Sequence, residues 1–350
     1  MSFYTHPSQP LTSLYHKPAV KQSSKNKLLL FIPGNPGLID YYTTYLEIIQ
    51  KQYPSLEVLN ISHAGFQTTD NYISKGENSP FVFYDLNYQI NHKVEIIEEF
   101  VNEKWKKNGG AGTEKIELFF LCHSVGAFIS QRVIKRLLEL PDISKKISIK
   151  FVGLICPTIL DIKISSSGKI FTRLFWLLPL IKVVLFWTRF LKWILTPQRI
   201  KGIIRYHLSK KKVAGSRVDP DATANMENSI IATYNLVSSQ RIIRQALTLA
   251  EEEMEEISQH KSTNDFFFKT LTNSENRVKI WSFFADKDYW VHDNTRDSIL
   301  SQYTDLDNKN LNFQLGEKSG ITHSFCVDQN KEFALITINA LDKFFNNQLD

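Results

Sequence analysis

The sequence predicts an α/β fold, a mostly parallel central sheet covered on both faces by helices, in a single domain spanning residues 1–350. Three observations predict it. Short, almost wholly apolar runs bounded by turn residues recur along the chain, the pattern of strands buried on both faces. Stretches with helical spacing separate them. The repeated order strand, helix, strand implies parallel neighbours joined by crossover helices. A content of 43% hydrophobic and 12% aromatic residues can fill the core that such a sheet requires.

The predicted strands cover 28–32, 58–62, 116–121, 150–156 and 279–285, and 311–315 is a candidate for one more. Helical spacing covers 41–50, 94–106, 127–140 and 332–345. Between 161 and 272 the alternation stops, and the chain adds helices without a convincing strand, which reads as a helical cap or lid inserted in the domain. Inside it, 170–195 reads I-F-T-R-L-F-W-L-L-P-L-I-K-V-V-L-F-W-T-R-F-L-K-W-I-L. Pro179 divides this stretch into two arms, each shorter than the roughly 20 residues needed to span a bilayer. Beyond the proline, Lys182, Arg189, Lys192 and Arg199 are spaced by seven, three and seven, which places the cations on one helical face. Phe175, Trp176, Phe186, Trp187 and Trp193 supply an apolar complement, the composition of a helix that lies in a membrane interface. The competing expectations are a lid packed on the protein's own core and a full transmembrane hairpin, which would have to bury Lys182 and Arg189.

The net charge of +6, from 42 basic and 36 acidic residues, is too mild to indicate a nucleic-acid partner. No metal-ligand spacing or phosphate-loop motif calls for a metal or another cofactor. Lys201, Arg205, Lys210, Lys211, Lys212 and Arg217 follow the apolar stretch and would suit an anionic surface, although a solvated loop has the same composition. Three cysteines, Cys122, Cys156 and Cys326, form no C-x-x-C pair and fit a reducing compartment better than a disulfide framework. The polar N-terminus lacks the apolar core of a signal peptide, which disfavours secretion.

Three stretches carry the chemistry. In L-F-F-L-C-H-S-V-G-A-F, 118–128, an apolar strand runs into Ser124 and then into a helix, the context of a nucleophile elbow, with Gly126 allowing close backbone passage. A serine there can also simply cap the helix. In L-L-L-F-I-P-G-N-P-G, 28–37, a strand ends in a turn whose Asn35 amide, with that of Val125, would stabilise the oxyanion of an acyl transfer. The same turn without a role remains the plainer reading. The strand 279–285 leads to Asp286, Asp288 and Asp293, of which Asp288 is favoured as the acid, with Asp161 in reserve. His323, on a loop before the terminal helix, has the position expected of the general base. His123 is expected to point away from the site, His63 is a candidate to line the pocket, and His92 lies near the start of a helix. A neutral histidine base implies activity that declines below roughly pH 6.5.

Taken together, I-P-G-N-P-G followed by Tyr41 and Tyr42, S-H-A-G at 62–65, Q-I-N-H-K at 89–93, the H-S-V-G-A-F elbow, P-T-I at 157–159 with 165–168 after it, and D-x-W-V around Asp288 resemble the lipid droplet-associated hydrolase family. The resemblance runs from about 28 to 325. It implies an α/β hydrolase fold and a triad on Ser124, Asp288 and His323. It also implies a lipid ester substrate, triacylglycerol or sterol ester, and association with a lipid droplet, with a possible endoplasmic reticulum or cytoplasmic pool. Cys122 stands where the family has glycine, and His292 where proline is common. A non-catalytic droplet-surface protein that binds lipid or organises droplets is the alternative, and an acyltransferase or thioesterase would use the same acyl-enzyme.

Overall fold

A computed structural model gives the fold and describes residues 2–9, 11–68, 80–110, 114–209, 220–273, 277–304, 308–317 and 319–345. Eight strands form one sheet: β1 Ser2–Thr5, β2 Ser13–Lys17, β3 Lys27–Ile32, β4 Leu56–Ile61, β5 Ile116–His123, β6 Ile147–Ile155, β7 Lys279–Ala285 and β8 Leu311–Gly316. Their order is β1-β2-β4-β3-β5-β6-β7-β8. The pairs from β4 to β8 are parallel. The run predicted at 311–315 is a strand at the parallel edge, and its alternating partial exposure fits that place. Two strands were not foreseen: β2 pairs antiparallel with β4, and β1 pairs antiparallel with β2 at the sheet's other edge. Both are short, and Ser13–Lys17 mixes two lone apolar residues with polar ones, so neither carries a strong strand signal.

The helices that position the site are α1 Thr43–Gln52, α2 Leu86–Lys107 and α3 Val125–Glu139. Between β6 and β7 follow α4 Ser166–Leu177, α5 Leu180–Ile194, α6 Pro197–Ser209, α7 Pro220–Ser238 and α8 Gln240–Glu256. Then come α9 Asp293–Tyr303 and the terminal α10 Asn330–Phe345. The central strands β3 and β4 are buried at every position; β3 accordingly reads as an almost continuous apolar run, whereas β4 also buries Glu57 and Asn60. Because β4 lies on one side of β3 and β5 on the other, the connections reverse at β3. Ligands of open α/β sheets bind in the crevice that such a reversal opens at the carboxyl ends of the strands.

The expectation of a single basic helical face from Lys182 to Arg199 is corrected. Helix α5 ends at Ile194, Leu195 is extended, and Arg199 belongs to α6. Pro197 explains the break, since its ring drives the preceding residue out of helical conformation. Pro179 separates α4 from α5 as expected, at a bend of 90°. Among the described residues no single helix is long and apolar enough to cross a membrane, and this bent pair is the one combination that passes by length and composition.

Nor is the stretch packed away as a buried lid. Trp176 is 83% exposed, Trp193 82%, Phe186 63% and Trp187 55%, and the one buried hydrophobic side chain of α5 is Leu185. Phe175 is half-buried, packed against Phe171. The basic residues beyond it are partly occupied: Lys201 lies 4.7 Å over the Tyr234 ring, and Arg205 pairs with Glu227 at 2.8 Å. Lys210, Lys211, Lys212 and Arg217 lie outside the described residues.

Candidate active site

At the carboxyl end of β5 the chain turns from strand to helix at Ser124, which adopts φ 53 and ψ −124, a left-handed backbone that costs on the order of 1–3 kcal/mol in a residue other than glycine. The Ser124 amide donates to the Ile155 carbonyl at the end of β6, anchoring the turn. Gly126 makes the turn possible, because a Cβ there would lie 2.4 Å from the Ile32 carbonyl oxygen. Cys122 stays in β5, paired in register with Ile32 and Leu154. Burial pushes its thiol up to about 12, so it is a neutral packing group, and the turn forms without a glycine at that position.

The structure brings Ser124, His323 and Asp288 together. His323 Nε2 lies 3.0 Å from Ser124 Oγ, and its Nδ1 lies 2.8 Å from Asp288 Oδ2 and 2.9 Å from Oδ1. An ionised carboxylate can only accept, so Nδ1 carries the proton and Nε2 is left to accept from the serine hydroxyl. The Trp290 and Val291 amides donate to Asp288 Oδ1 at 2.8 and 2.9 Å. Burial works to raise the Asp288 pKa, but His323 and these two amides overcome it and hold the carboxyl below its ordinary value. A bridge between Lys287 and Thr322 ties the acid loop to the histidine loop. His292 caps α9, its Nδ1 accepting from the Asn294 amide.

The other candidate acids are elsewhere. Asp286 is exposed, and Asp293 is paired with Arg296. Asp161, the reserve acid, has left-handed backbone and accepts from Gln259 rather than from a histidine. Asn35 lines the pocket beside Ser124 and His323, and its side-chain amide is spent on Ala246 and Glu253. Val125 opens α3, so its N–H is one of the amides that the helix's own carbonyls leave without a partner.

His123 does not point away. It is buried against the site, with its ring 5.1 Å from that of His323. Its Nε2 donates to the His323 carbonyl at 2.9 Å, which leaves Nδ1 to accept from the Tyr42 hydroxyl at 2.8 Å, and Tyr42 in turn accepts from the Gly34 amide at 3.2 Å. This chain joins the turn after β3 to the loop of the histidine. Its sequence signal was adjacency to Ser124, too weak to give direction. His63 is also corrected: it is absent from the pocket lining and sits fully buried under Gly37, where a Cβ would come 2.5 Å from the His63 Cβ. The distant motifs meet behind it. Gln89 bonds both the amide and the carbonyl of Ala64, and Lys93 reaches His92, which contacts Thr12.

Burial holds His123, His63 and His92 neutral, with pKa values pushed below the ordinary histidine value, to about 3 for His123. The unfolded chain therefore binds more protons than the folded one below about pH 6.5. Stability is whole above that pH and is lost as pH falls, with a slope of up to about 4 kcal/mol per unit if all three sites act. Urea denaturation between about pH 5 and 7.5 measures it, and a flat midpoint would contradict the burial argument.

The pocket holds about 350 Å³ and is walled by Phe171, Leu236, Ala246, Leu247, Ala250 and Trp290. Phe171 comes from α4, so the helix that carries exposed aromatics also walls the pocket. Among the described residues one group of possible metal ligands forms, Cys156, Asp288 and His323, with ligand atoms within 4.8 Å of one another. Burial, with Asp288 nearby, raises the Cys156 thiol well above its ordinary value, and the other two groups are already bonded to each other, so the set is a poor cation site.

Residues 25–326 match the family model described as lipid-droplet associated hydrolase. The chain is 28% identical over 326 residues to the lipid droplet-associated hydrolase of Gallus gallus, covering 90% of this chain and 85% of that one. With the Homo sapiens protein of the same name it shares 27% over 345 residues, covering 95% and 89%. Among solved structures it is similar to a carboxylesterase of Nitrososphaera gargenis, with TM-score 0.53 at 12% identity over 99% of this chain and 100% of that one. It is also similar to the 2-hydroxy-6-oxo-6-phenylhexa-2,4-dienoate hydrolase of a Rhodococcus, with TM-score 0.54 at 12% identity over 96% and 94%. At such identity these two likenesses establish the α/β hydrolase fold and leave the reaction to the site.

Proposed function

The chain belongs to the lipid-droplet associated hydrolase family, and from that premise we propose that it is a serine ester hydrolase that cleaves neutral lipid esters, triacylglycerol or sterol ester, at a lipid droplet surface. The observation that carries the reading is the hydrogen-bonded order Ser124, His323, Asp288 at the mouth of an apolar pocket. His323 takes the Ser124 proton as the oxygen attacks the ester carbonyl, and Asp288 orients the ring and stabilises its cation. The backbone amides of Val125 and Asn35 receive the oxyanion. The protonated His323 then gives its proton to the departing alcohol, leaving an acyl-enzyme that water hydrolyses by the same steps in reverse. The apolar walls suit an acyl chain.

The helical segment between β6 and β7 acts as a cap and surface anchor, with α4 and α5 laying their aromatics into the lipid interface. Burying one such side chain contributes roughly 1.5–3 kcal/mol. Replacing Trp176, Phe186, Trp187 and Trp193 together by serine is therefore expected to lower droplet partition by about 1000-fold or more, and deleting 170–195 to release the protein altogether. Flotation with purified droplets measures both. Unchanged flotation would remove the anchor and leave the triad untouched. Hydrolysis is tested with emulsified esters across acyl-chain lengths, wild type beside Ser124→Ala. Folded wild-type protein that cleaves none of them would favour a lipid-binding role instead.

A further inference from the structure

We propose that Glu253 is a positioning residue for the oxyanion turn, clamping the Asn35 side chain to helix α8 and thereby making the geometry of the reacting site depend on how the helical segment is seated. The proposal rests on the reading of Asn35 as an oxyanion donor. Asn35 Nδ2 donates to Glu253 Oε1 at 2.8 Å and to the Ala246 carbonyl at 2.9 Å. The two acceptors are seven residues apart on α8, hence on one face, and both hydrogens of a single amide are used. The turn after β3 is thus held from α8 on one side and, through Gly34 and Tyr42, from His123 on the other.

Glu253 is 4% exposed and lines the pocket with Ser124 and His323. Helices α2, α4, α5 and α7 pack against α8. The titratable groups that share the pocket lining are Tyr41, Tyr42, His123, His323 and Cys326, and no lysine or arginine is among them. The charged neighbour that acts on Glu253 is Glu252, on its own helix. Burial pushes the Glu253 pKa up to about 8, the Asn35 bond opposes the rise, and Glu252 adds to it. At neutral pH the clamp is therefore an uncharged acid. Once ionised, it would set a negative charge beside the position where the oxyanion develops, opposing the transition state.

The test uses the full chain and a soluble short-chain nitrophenyl ester. Glu253→Ala is expected to lower kcat by roughly 10- to 100-fold with KM little changed, the cost of a misplaced donor. Wild type is expected to lose kcat above about pH 8, and Glu253→Gln, which accepts the same bond, is expected to recover most of the Ala loss and to lack that alkaline decline. A Gln variant as impaired as Ala, or a wild-type alkaline limb that persists in Gln, would overturn the proposal. Should wild type turn over no ester, the hydrolase reading fails alone. The clamp is then read from the nitrogen-15 resonance of the Asn35 side-chain amide, expected to titrate near pH 8 in wild type and not in Glu253→Gln. An amide that does not titrate in wild type overturns it.

Discussion

Ser124→Ala is expected to lower kcat by about 10⁶-fold, while binding of substrate is nearly unchanged. The hydroxyl it removes is the one atom in the pocket both bonded to the His323 Nε2 and carried on a strained turn that presents it at the carboxyl end of the sheet. What remains is the electrostatic contribution of the amides and of orientation, typically about 10³- to 10⁴-fold over water. Because alanine keeps the same Cβ, the packing of Gly34, whose added Cβ would lie 3.0 Å from that of Ser124, is undisturbed. The variant should therefore melt close to wild type, which separates lost chemistry from lost fold. Steady-state hydrolysis of a soluble ester measures the effect, and retention of more than about 1% of kcat would exclude Ser124 as the nucleophile.

The second large effect is expected from Asp288→Asn, about 10⁴-fold in kcat with the fold intact. The reason lies in how the carboxylate is held. Its Oδ1 already accepts from the Trp290 and Val291 amides, so the oxygen of an asparagine must take that place. The NH2 group is then left 2.8 Å from His323 Nδ1, where it donates, and the imidazole proton is driven to Nε2. A ring in that tautomer presents a hydrogen to Ser124 Oγ where a lone pair is needed. Kinetics with a soluble ester, together with imidazole proton resonances that report the tautomer, check the prediction. A kcat for Asp288→Asn within about tenfold of wild type would show that this acid is not in the reaction path, because loss of the correct tautomer costs far more than that.

How much of this was legible in the chain follows the range of the interactions involved. The turn at Ser124 is local: an apolar strand, a serine, a small residue and a helix lie within eleven consecutive residues, and 28–37 is similarly self-contained. Asp288 and His323 were singled out because the fold's order of serine, acid and histidine points to loops after later strands, and the structure brings the two side chains within hydrogen-bond distance. Glu253 was not legible, since its partner Asn35 is 218 residues away and nothing local marks a glutamate in an acidic helix as buried. His123 illustrates the same limit, because its direction is set by Tyr42 and the His323 carbonyl, each supplied by another loop. The break before Pro197 is different: the rule that the residue preceding a proline leaves the helix was available from sequence, and the charge spacing across it misled. Strand β2 acquires its pairing from β4 and β1 from β2, so their short mixed sequences carry little of the signal themselves.

The most direct measurement is the mass-spectrometric mapping of a fluorophosphonate adduct on the intact chain. One covalent adduct is expected, on the peptide containing Ser124, formed at a rate that falls steeply in His323→Ala. No adduct on folded protein, or an adduct confined to another serine, would contradict it.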